Sequence, residues 1–137
     1  MAKDLFHNVV KTALIKDGWI ITDDPLFLNV GGVDLFVDLG AEKLLAAERD
    51  GDKIAIEIKS FLSASSLADF HLAIGQFMNY RVALQSADPE RQLFLAIPDT
   101  AYNTFFQKEF PLMVIKQYQL RFFVYDTENE VITLWKL

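Results

Sequence analysis

Hydrophobic side chains recur at helical spacing near the start of the chain and again in its middle. The segment AKDLFHNVVKTALIKDGW places Phe6, Val9 and Val10 on one helical face. Gly18 then stands where a helix C-terminal cap is expected. The segment SSLADFHLAIGQFMNYRVALQS starts with Ser and Asp capping candidates and predicts a helix of several turns. TAYNTFFQKEFPLMVIKQYQ predicts one or two helical pieces broken near Pro111.

Between and after these helices the pattern is that of β-strands. WIITDDPLFLNVGG predicts a strand, a Pro-containing turn and a second extended piece, and VDLFVDLGAEKLLAAERD continues as strand. KIAIEIKSF predicts the next strand, after a tight hairpin at Asp50-Gly51, because Asp-Gly accepts positive φ cheaply. LFLAIP predicts a short buried strand ended by Pro98, and LRFFVYD with VITLWKL predicts a closing hairpin.

The order of these elements predicts the fold class. A helix, three or four strands, a long helix, a buried strand, a helix and two strands follow one another. A strand meander followed by a β-helix-β crossover predicts an α/β (α+β) fold, with a mixed central β-sheet flanked by helices. The length of 137 residues suits one domain, and we see no repeat or linker, so we expect a single domain over residues 1–137.

Composition narrows the classes of function. The formal net charge is −6, which counts against nucleic-acid binding by the surface as a whole, since phosphate neutralisation needs clustered Lys and Arg. The absence of Cys excludes disulfides and Cys-ligated zinc. We find no signal-peptide h-region and no apolar run near the ~20 residues of a membrane span, so we expect a cytoplasmic protein without a membrane partner.

The stretch IAIEIKSF carries the chain's main candidate for chemistry. Strand side chains alternate between faces, so Glu57 and Lys59 share a face opposite to Ile56 and Ile58. A strand within an apolar sheet seldom aims a carboxylate and an ammonium at one place without partners, because isolated buried charges are costly. We therefore expect either a metal or an ion-pair network at this point.

The adjoining strand supplies a second carboxylate. With the Asp-Gly pair as a two-residue loop, Lys59 lies opposite Glu42, and Glu57 lies opposite Leu44. Asp38 is four residues before Glu42 and shares its face if the strand stays regular. Gly40 between them is a candidate for a bulge, and a one-residue slip of the register would turn Glu42 to the other face. The second carboxylate is thus Asp38 or Glu42.

Two carboxylates a few ångströms apart offer oxygen ligands for Mg²⁺ or Mn²⁺. Asp38 followed by Glu57-Ile58-Lys59 on the next strand resembles the arrangement of the PD-(D/E)xK nuclease superfamily. This resemblance implies that Asp38 and Glu57 ligate the metal, with Glu42 as substitute or third acid. It also implies that Lys59 orients the attacking water or neutralises charge on the phosphate.

Gln76 and Tyr80, four residues apart on the following helix, share a face. A Gln-x-x-x-Tyr pair after Glu-x-Lys resembles the accessory motif of RecB-like members of the superfamily, which implies that both residues brace the site. The first helix often supplies another polar group in this superfamily, and Asp4 and His7 are the candidates here. We expect His71 on the helix surface.

Five segments together resemble the XisH family, the fdxN-element excision controlling factors of cyanobacteria. They are AKDLFHNVVKTALIKDGWIITDDPL, VDLGAEKLLAAER, IAIEIKSF, FHLAIGQFMNYRVAL and LFLAIP. The resemblance spans the whole chain and implies a restriction-endonuclease-like core, a role in excision of a DNA element during heterocyst differentiation, and a XisI-like partner protein. DNA and a second copy of the chain are further partners to test.

Three functions stay open on the sequence alone. The first is a Mg²⁺-dependent endonuclease, or a nuclease-fold protein that assists excision on DNA. The second is a catalytically inactive nuclease-fold protein that acts as a partner module for a XisI-like protein, which suits the acidic charge and the many apolar residues. The third is a structural role, with Glu57 and Lys59 on a solvated strand face.

Overall fold

The computed structural model describes residues 5–43 and 51–137, which form a mixed α/β fold. In chain order the elements are α1 (His7–Lys16), β1 (Ile20–Asp23), β2 (Leu26–Val30), β3 (Val33–Val37), β4 (Leu39–Lys43), β5 (Asp52–Ile58), α2 (Ser66–Ala87), β6 (Arg91–Pro98), α3 (Asp99–Tyr102), a 3₁₀ turn (Phe105–Gln107), α4 (Glu109–Tyr118), β7 (Phe122–Asp126) and β8 (Val131–Lys136). The predicted fold class is confirmed.

The main sheet has six strands in the order β1-β4-β5-β6-β7-β8. The β5–β6 and β6–β7 pairs are parallel, and the other pairs are antiparallel. Parallel neighbours need a crossover connection, which α2 supplies between β5 and β6 and which α3 and α4 supply between β6 and β7. The predicted mixed central sheet is therefore present.

Each face of this sheet carries its own hydrophobic cluster, and β5 contributes to both. Ile54, Ile56 and Ile58 pack with α1, whereas Ala55 packs with α2. This division follows from the alternation of strand side chains between faces. Glu57 alternates with Ile56 and Ile58, and it consequently lies on the α2 face.

The β2–β3 hairpin forms a separate two-stranded sheet that packs against α2. Gly31 and Gly32 form its two-residue turn with φ of 59° and 82°, values that glycine adopts without steric cost. The continuous strand predicted from Val33 onwards is thus divided. The chain leaves the small sheet at Val37 and enters the main sheet at Leu39, so Asp38 occupies the junction.

The predicted register between β4 and β5 is wrong. Lys43 pairs with Asp52 and Leu39 pairs with Ile56, so residues 44–51 connect the two strands in place of a two-residue loop. The predicted hairpin residue Asp50 lies outside the described residues. Burial of apolar residues outweighs the local turn propensity of Asp-Gly, because the observed register puts Leu39 and Ile56 together in the α1-side core.

Two further irregularities differ from expectation. The register irregularity beside Gly40 lies in the partner strand β1, between Ile21 and Asp23, while the β4–β5 register is continuous. Pro111 lies in the first turn of α4 and does not break it, since a first-turn residue has no N–H partner to lose. The predicted helix break falls earlier, at residues 103–108.

No helix within the described ranges combines the length and the apolarity that crossing a bilayer requires.

Candidate functional site

Asp38 and Glu57 come together at one end of the β4–β5 pair. The β4–β5 pairing reaches Leu39 and Ile56, and the next step in the same register sets Asp38 opposite Glu57. The Ile58 N–H donates to Asp38 Oδ2 at 2.7 Å. Because the β4 ladder has ended here, the Asp38 carboxylate takes the place of a strand carbonyl as the acceptor for β5. This bond fixes where the carboxylate lies.

Glu57 is buried on the face of the sheet that α2 covers. Only 6% of the residue is exposed, and its neighbours along the strand are apolar. Burial of a carboxylate is unfavourable unless polar contacts or a cation offset it. Glu57 therefore does not lie on the solvated strand face that a structural role for this residue would require.

Tyr80 of α2 faces the same two acids. Burial raises the pKa of the Tyr80 phenol, and the negative charges of Glu57 and Asp38 raise it further. Both carboxylates therefore lie near enough to Tyr80 for their charges to act on its phenol. Three of the predicted site residues thus lie in one region: Asp38 at the β3–β4 junction, Glu57 of β5 and Tyr80 of α2.

Lys59 and Gln76 lie near this group without joining it by a direct bond. β5 ends at Ile58, so Lys59 is the first residue beyond the strand, where alternation no longer fixes the direction of its side chain. Gln76 is half-buried, one helical turn before Tyr80. Within the described ranges, neither side chain makes a hydrogen bond or an ion pair. The predicted bracing of Lys59 by Gln76 therefore stays a prediction.

The corrected register separates Glu42 from the other acids. The Glu42 backbone pairs with Lys53 rather than Lys59. At a rise of about 3.3 Å per residue, Lys53 and Glu57 are about 13 Å apart along β5. The Glu42 side chain lies outside the described residues. Of the two alternatives for the second carboxylate, the backbone favours Asp38.

The donor set suits a hard divalent cation that keeps part of its water. In the portion of the chain that the structure describes, no three His, Cys, Asp or Glu side chains gather into a metal site. Mg²⁺ commonly uses one or two carboxylates, with water and substrate phosphates as its other ligands. Asp38 and Glu57 meet that requirement, whereas a closed all-protein cage would need further ligands.

The predicted polar group of the first helix has a different role. His7 is buried, and its Nε2 lies 2.7 Å from Asp24 Oδ1, while Lys11 Nζ donates to Asp24 Oδ2 at 2.7 Å. Burial alone would raise the pKa of Asp24, but the hydrogen bonds from Lys11 and His7 hold it below its usual value. His7 thus ties α1 to the β1–β2 connection. Asp4 lies outside the described residues, and His71 is exposed as expected.

Beside the site, the polar side chains of Asp23 and Arg91 approach Gly40 closely, and sequence reasoning did not predict this arrangement. A Cβ atom at Gly40 would lie 2.8 Å from Asp23 Oδ2 and 3.0 Å from Arg91 Nη1. The buried Arg91 donates to Ile54 O at 2.9 Å and to Asp88 Oδ2 at 3.1 Å. Only the glycine in β4 could have signalled such a close approach, because Asp23 and Arg91 are far apart in the chain.

Comparison with known proteins places the chain in a family. The sequence profile described as XisH protein matches residues 1–133. The chain belongs to the XisH family. No curated protein matches it.

Two solved structures are similar over nearly their whole length. An XisH family protein from Nostoc punctiforme PCC 73102 is 52% identical, with a TM-score of 0.88 over 98% of this chain and 100% of that chain. An fdxN element excision controlling factor protein from Anabaena variabilis is 54% identical, with a TM-score of 0.87 over 97% and 98% of the two chains. These similarities confirm the XisH resemblance that the sequence indicated.

Proposed function

We propose that this XisH-family chain is an excision controlling factor that acts on DNA, and that Asp38 and Glu57 bind Mg²⁺ or Mn²⁺ against a DNA phosphate. The description of the Anabaena variabilis relative as an fdxN element excision controlling factor supports the first part. The Ile58 N–H···Asp38 bond of 2.7 Å beside the buried Glu57 carries the second part, because it holds one carboxylate in place next to the other.

The chain's own residues can each do part of the chemistry. Asp38 at the β3–β4 junction and Glu57 of β5 both present carboxylate oxygens from fixed backbone positions, so little reorganisation is needed to bind a cation. The protonated Tyr80 hydroxyl can donate to a phosphate oxygen or to a water in the site. Lys59, half-buried just beyond β5, can bring an ammonium to a phosphate. A bound divalent cation would supply Lewis acidity and a more acidic water.

Calorimetric titration with Mn²⁺ tests the metal site directly. We expect wild type to bind, and Asp38→Asn and Glu57→Gln to bind at least about tenfold more weakly, since each removes a proposed ligand charge. Glu128→Gln is the matched control, because it removes the same charge from an exposed turn position. No heat from wild type, or equal affinity in Glu57→Gln and wild type, would reject the site.

Plasmid nicking then asks whether the site cleaves DNA. With Mg²⁺ or Mn²⁺ present, we expect nicking by wild type and its loss in Glu57→Gln and in Lys59→Ala. Equal cleavage by wild type and Lys59→Ala would reject the role given to the lysine. Metal binding without nicking would exclude endonuclease activity and would favour a metal-dependent DNA-binding factor.

A partner module is the second candidate, and an exposed aromatic pair favours it. Phe27 and Phe36 project from the outer face of the β2–β3 hairpin with exposures of 53% and 38%, and their ring centroids are 5.3 Å apart. Exposed apolar groups of this kind often mark contact sites. Co-purification with a XisI-like protein, or self-association of the chain, should be lost in Phe27→Ser/Phe36→Ser. Persistence of both contacts in that variant would exclude this surface.

A further inference from the structure

A cleft of about 1140 Å³ lies beside the second half of α2. Its walls come from the second half of α2, the 3₁₀ turn, α4 and the β7–β8 edge of the main sheet. The residues that line it include Arg81, Lys116, Tyr118, Arg121, Phe122 and Lys136. The carboxylate site and this cleft share no residue.

The cleft collects positive charge in an acidic protein. Four lining residues are cationic, namely Arg81, Lys116, Arg121 and Lys136, and none of the described lining residues is Asp or Glu. The chain has 13 Lys and Arg against 19 Asp and Glu, so a surface of this size without an acidic side chain departs from the average composition. Arg81 and Lys116 are 35 residues apart in the sequence, but the fold brings them to one place.

Three of the four cations are available for a ligand. The Arg81 guanidinium donates to the Tyr118 carbonyl at 2.8 Å, so it fixes the end of α4 to α2. The side chains of Lys116, Arg121 and Lys136 make no hydrogen bond or ion pair with any residue in the described ranges. Cations that form no ion pair retain their attraction for an external anion.

Apart from Gln85 and Gln119, the rest of the lining is apolar or aromatic. Tyr118 is 47% exposed at the rim, Tyr102 is half-buried, and Phe106 and Phe122 form part of the buried wall. Aromatic side chains beside cations suit a ligand that combines a planar ring with phosphates, since the ring can stack while the phosphates meet the ammonium groups. A simple inorganic anion would leave the aromatic surface unused.

The sheet register relates the cleft to the carboxylate site. Glu57 pairs with Leu95, Leu95 with Phe122, and Phe122 with Lys136, so these residues form one row across four strands. Directly paired residues share a sheet face, and strands are about 4.8 Å apart, which places Lys136 about 14 Å from Glu57. Both sites therefore open on the α2 face of the sheet.

We propose that the cleft binds nucleotide phosphates, with Lys116, Arg121 and Lys136 contacting the phosphates and Tyr118 stacking on a base. The shared chemistry has two sources, a single-stranded nucleic acid and a free nucleotide. A duplex fits the surface less well, because it would extend beyond the cleft over surface that is more acidic than the chain's total charge of −6 indicates. The inference deepens the proposed action on DNA without depending on a bound metal.

Fluorescence anisotropy with a labelled oligodeoxythymidylate at low salt, in the presence of EDTA, tests the cleft. We expect binding by wild type and a logarithmic salt slope that is smaller by about 2 in Lys116→Gln/Arg121→Gln/Lys136→Gln, from about 0.7 per phosphate contact. Lys116→Glu should weaken binding, while Lys108→Glu should not. Lys108 is the matched control because it is also exposed, lies at the start of α4 and makes no side-chain hydrogen bond or ion pair in the described ranges.

Competition by ATP distinguishes the two sources. Displacement of the oligonucleotide by ATP assigns the cleft to free nucleotides, whereas displacement only by unlabelled oligonucleotide assigns it to single strands. No binding by wild type, or unchanged binding in the triple variant, would overturn the proposal. The triple variant should bind Mn²⁺ no more weakly than wild type in the calorimetric titration, so failure of the metal site and failure of the cleft give different results.

Discussion

Replacement of Gly40 by alanine tests the packing beside the carboxylate site with a single methyl group. Gly40 is buried in β4, where it pairs with Asp23 of β1 and Ala55 of β5. Its φ is not positive, so alanine can adopt the backbone conformation. Any effect of the substitution must consequently come from the space that the new Cβ occupies.

The distances set the expected cost. The new Cβ would lie 2.8 Å from Asp23 Oδ2, 3.1 Å from Asp23 Cβ and 3.0 Å from Arg91 Nη1, all closer than ordinary contact. Asp23 can rotate its carboxylate, but Arg91 is held by bonds of 2.9 Å to Ile54 O and 3.1 Å to Asp88 Oδ2. Overpacking of a buried site costs about 1–3 kcal/mol, and the lower entropy of the unfolded alanine chain offsets about 0.4–1 kcal/mol of it.

Thermal unfolding measures the difference. With an unfolding entropy of about 2.1 cal/mol/K per residue, a net loss of about 1–2 kcal/mol lowers the Tm by about 3–7 °C. Gly75→Ala is the control, because Gly75 is exposed within α2 and a Cβ there would meet nothing within 4 Å. Helix propensity should raise its stability by about 0.8–1 kcal/mol. A Tm for Gly40→Ala at or above that of wild type would refute the packing argument.

Three further predictions concern single polar groups. Burial and the charges of Glu57 and Asp38 raise the pKa of Tyr80, so this pKa should fall in Asp38→Asn, measured by phenolate absorbance with Tyr80→Phe as the reference. Because the folded pKa is raised, the contribution of Tyr80 to stability is complete below pH 10 and declines above it. Since the folded pKa of Asp24 lies below 3.8, its contribution should persist above that pH and be lost as pH falls further, and Asp24→Asn should flatten this part of an acid-unfolding curve. Arg81→Met should lose about 1–2 kcal/mol in denaturant unfolding, because the last carbonyls of α4 lose their donor.

The elements were predictable from periodicity, but the register was not. Ile54, Ile56 and Ile58 identify a strand with one apolar face, and the capping Ser65 with the apolar spacing of α2 identifies the crossover helix. An Asp-Gly pair, however, indicates only that a turn is locally favourable. The observed pairing of Leu39 with Ile56 comes from the core that the whole sheet forms, which no short window of sequence contains.

The candidate site shows the same division between local and long-range information. Glu57 and Tyr80 could be selected from the sequence, since each lies at a spacing from a second polar residue that puts the two on one face of a strand or a helix. The choice between Asp38 and Glu42 needed the register, and the positive cleft needed the crossover topology that gathers Arg81, Lys116 and Lys136. Long-range placement of cations leaves no pattern that single-sequence periodicity can detect.

The position of Asp38 explains how an acid so far from Glu57 in the chain can have a fixed place beside it. At Asp38 the chain passes from the small sheet to the main sheet, so this residue belongs to no regular strand. Its carboxylate can therefore accept a hydrogen bond from the Ile58 N–H. The β4–β5 register is set by the core residues on either side of the pair, not by a tight turn. The separation of the two carboxylates therefore depends on the sheet and not on residues 44–51, which connect the strands at the opposite end.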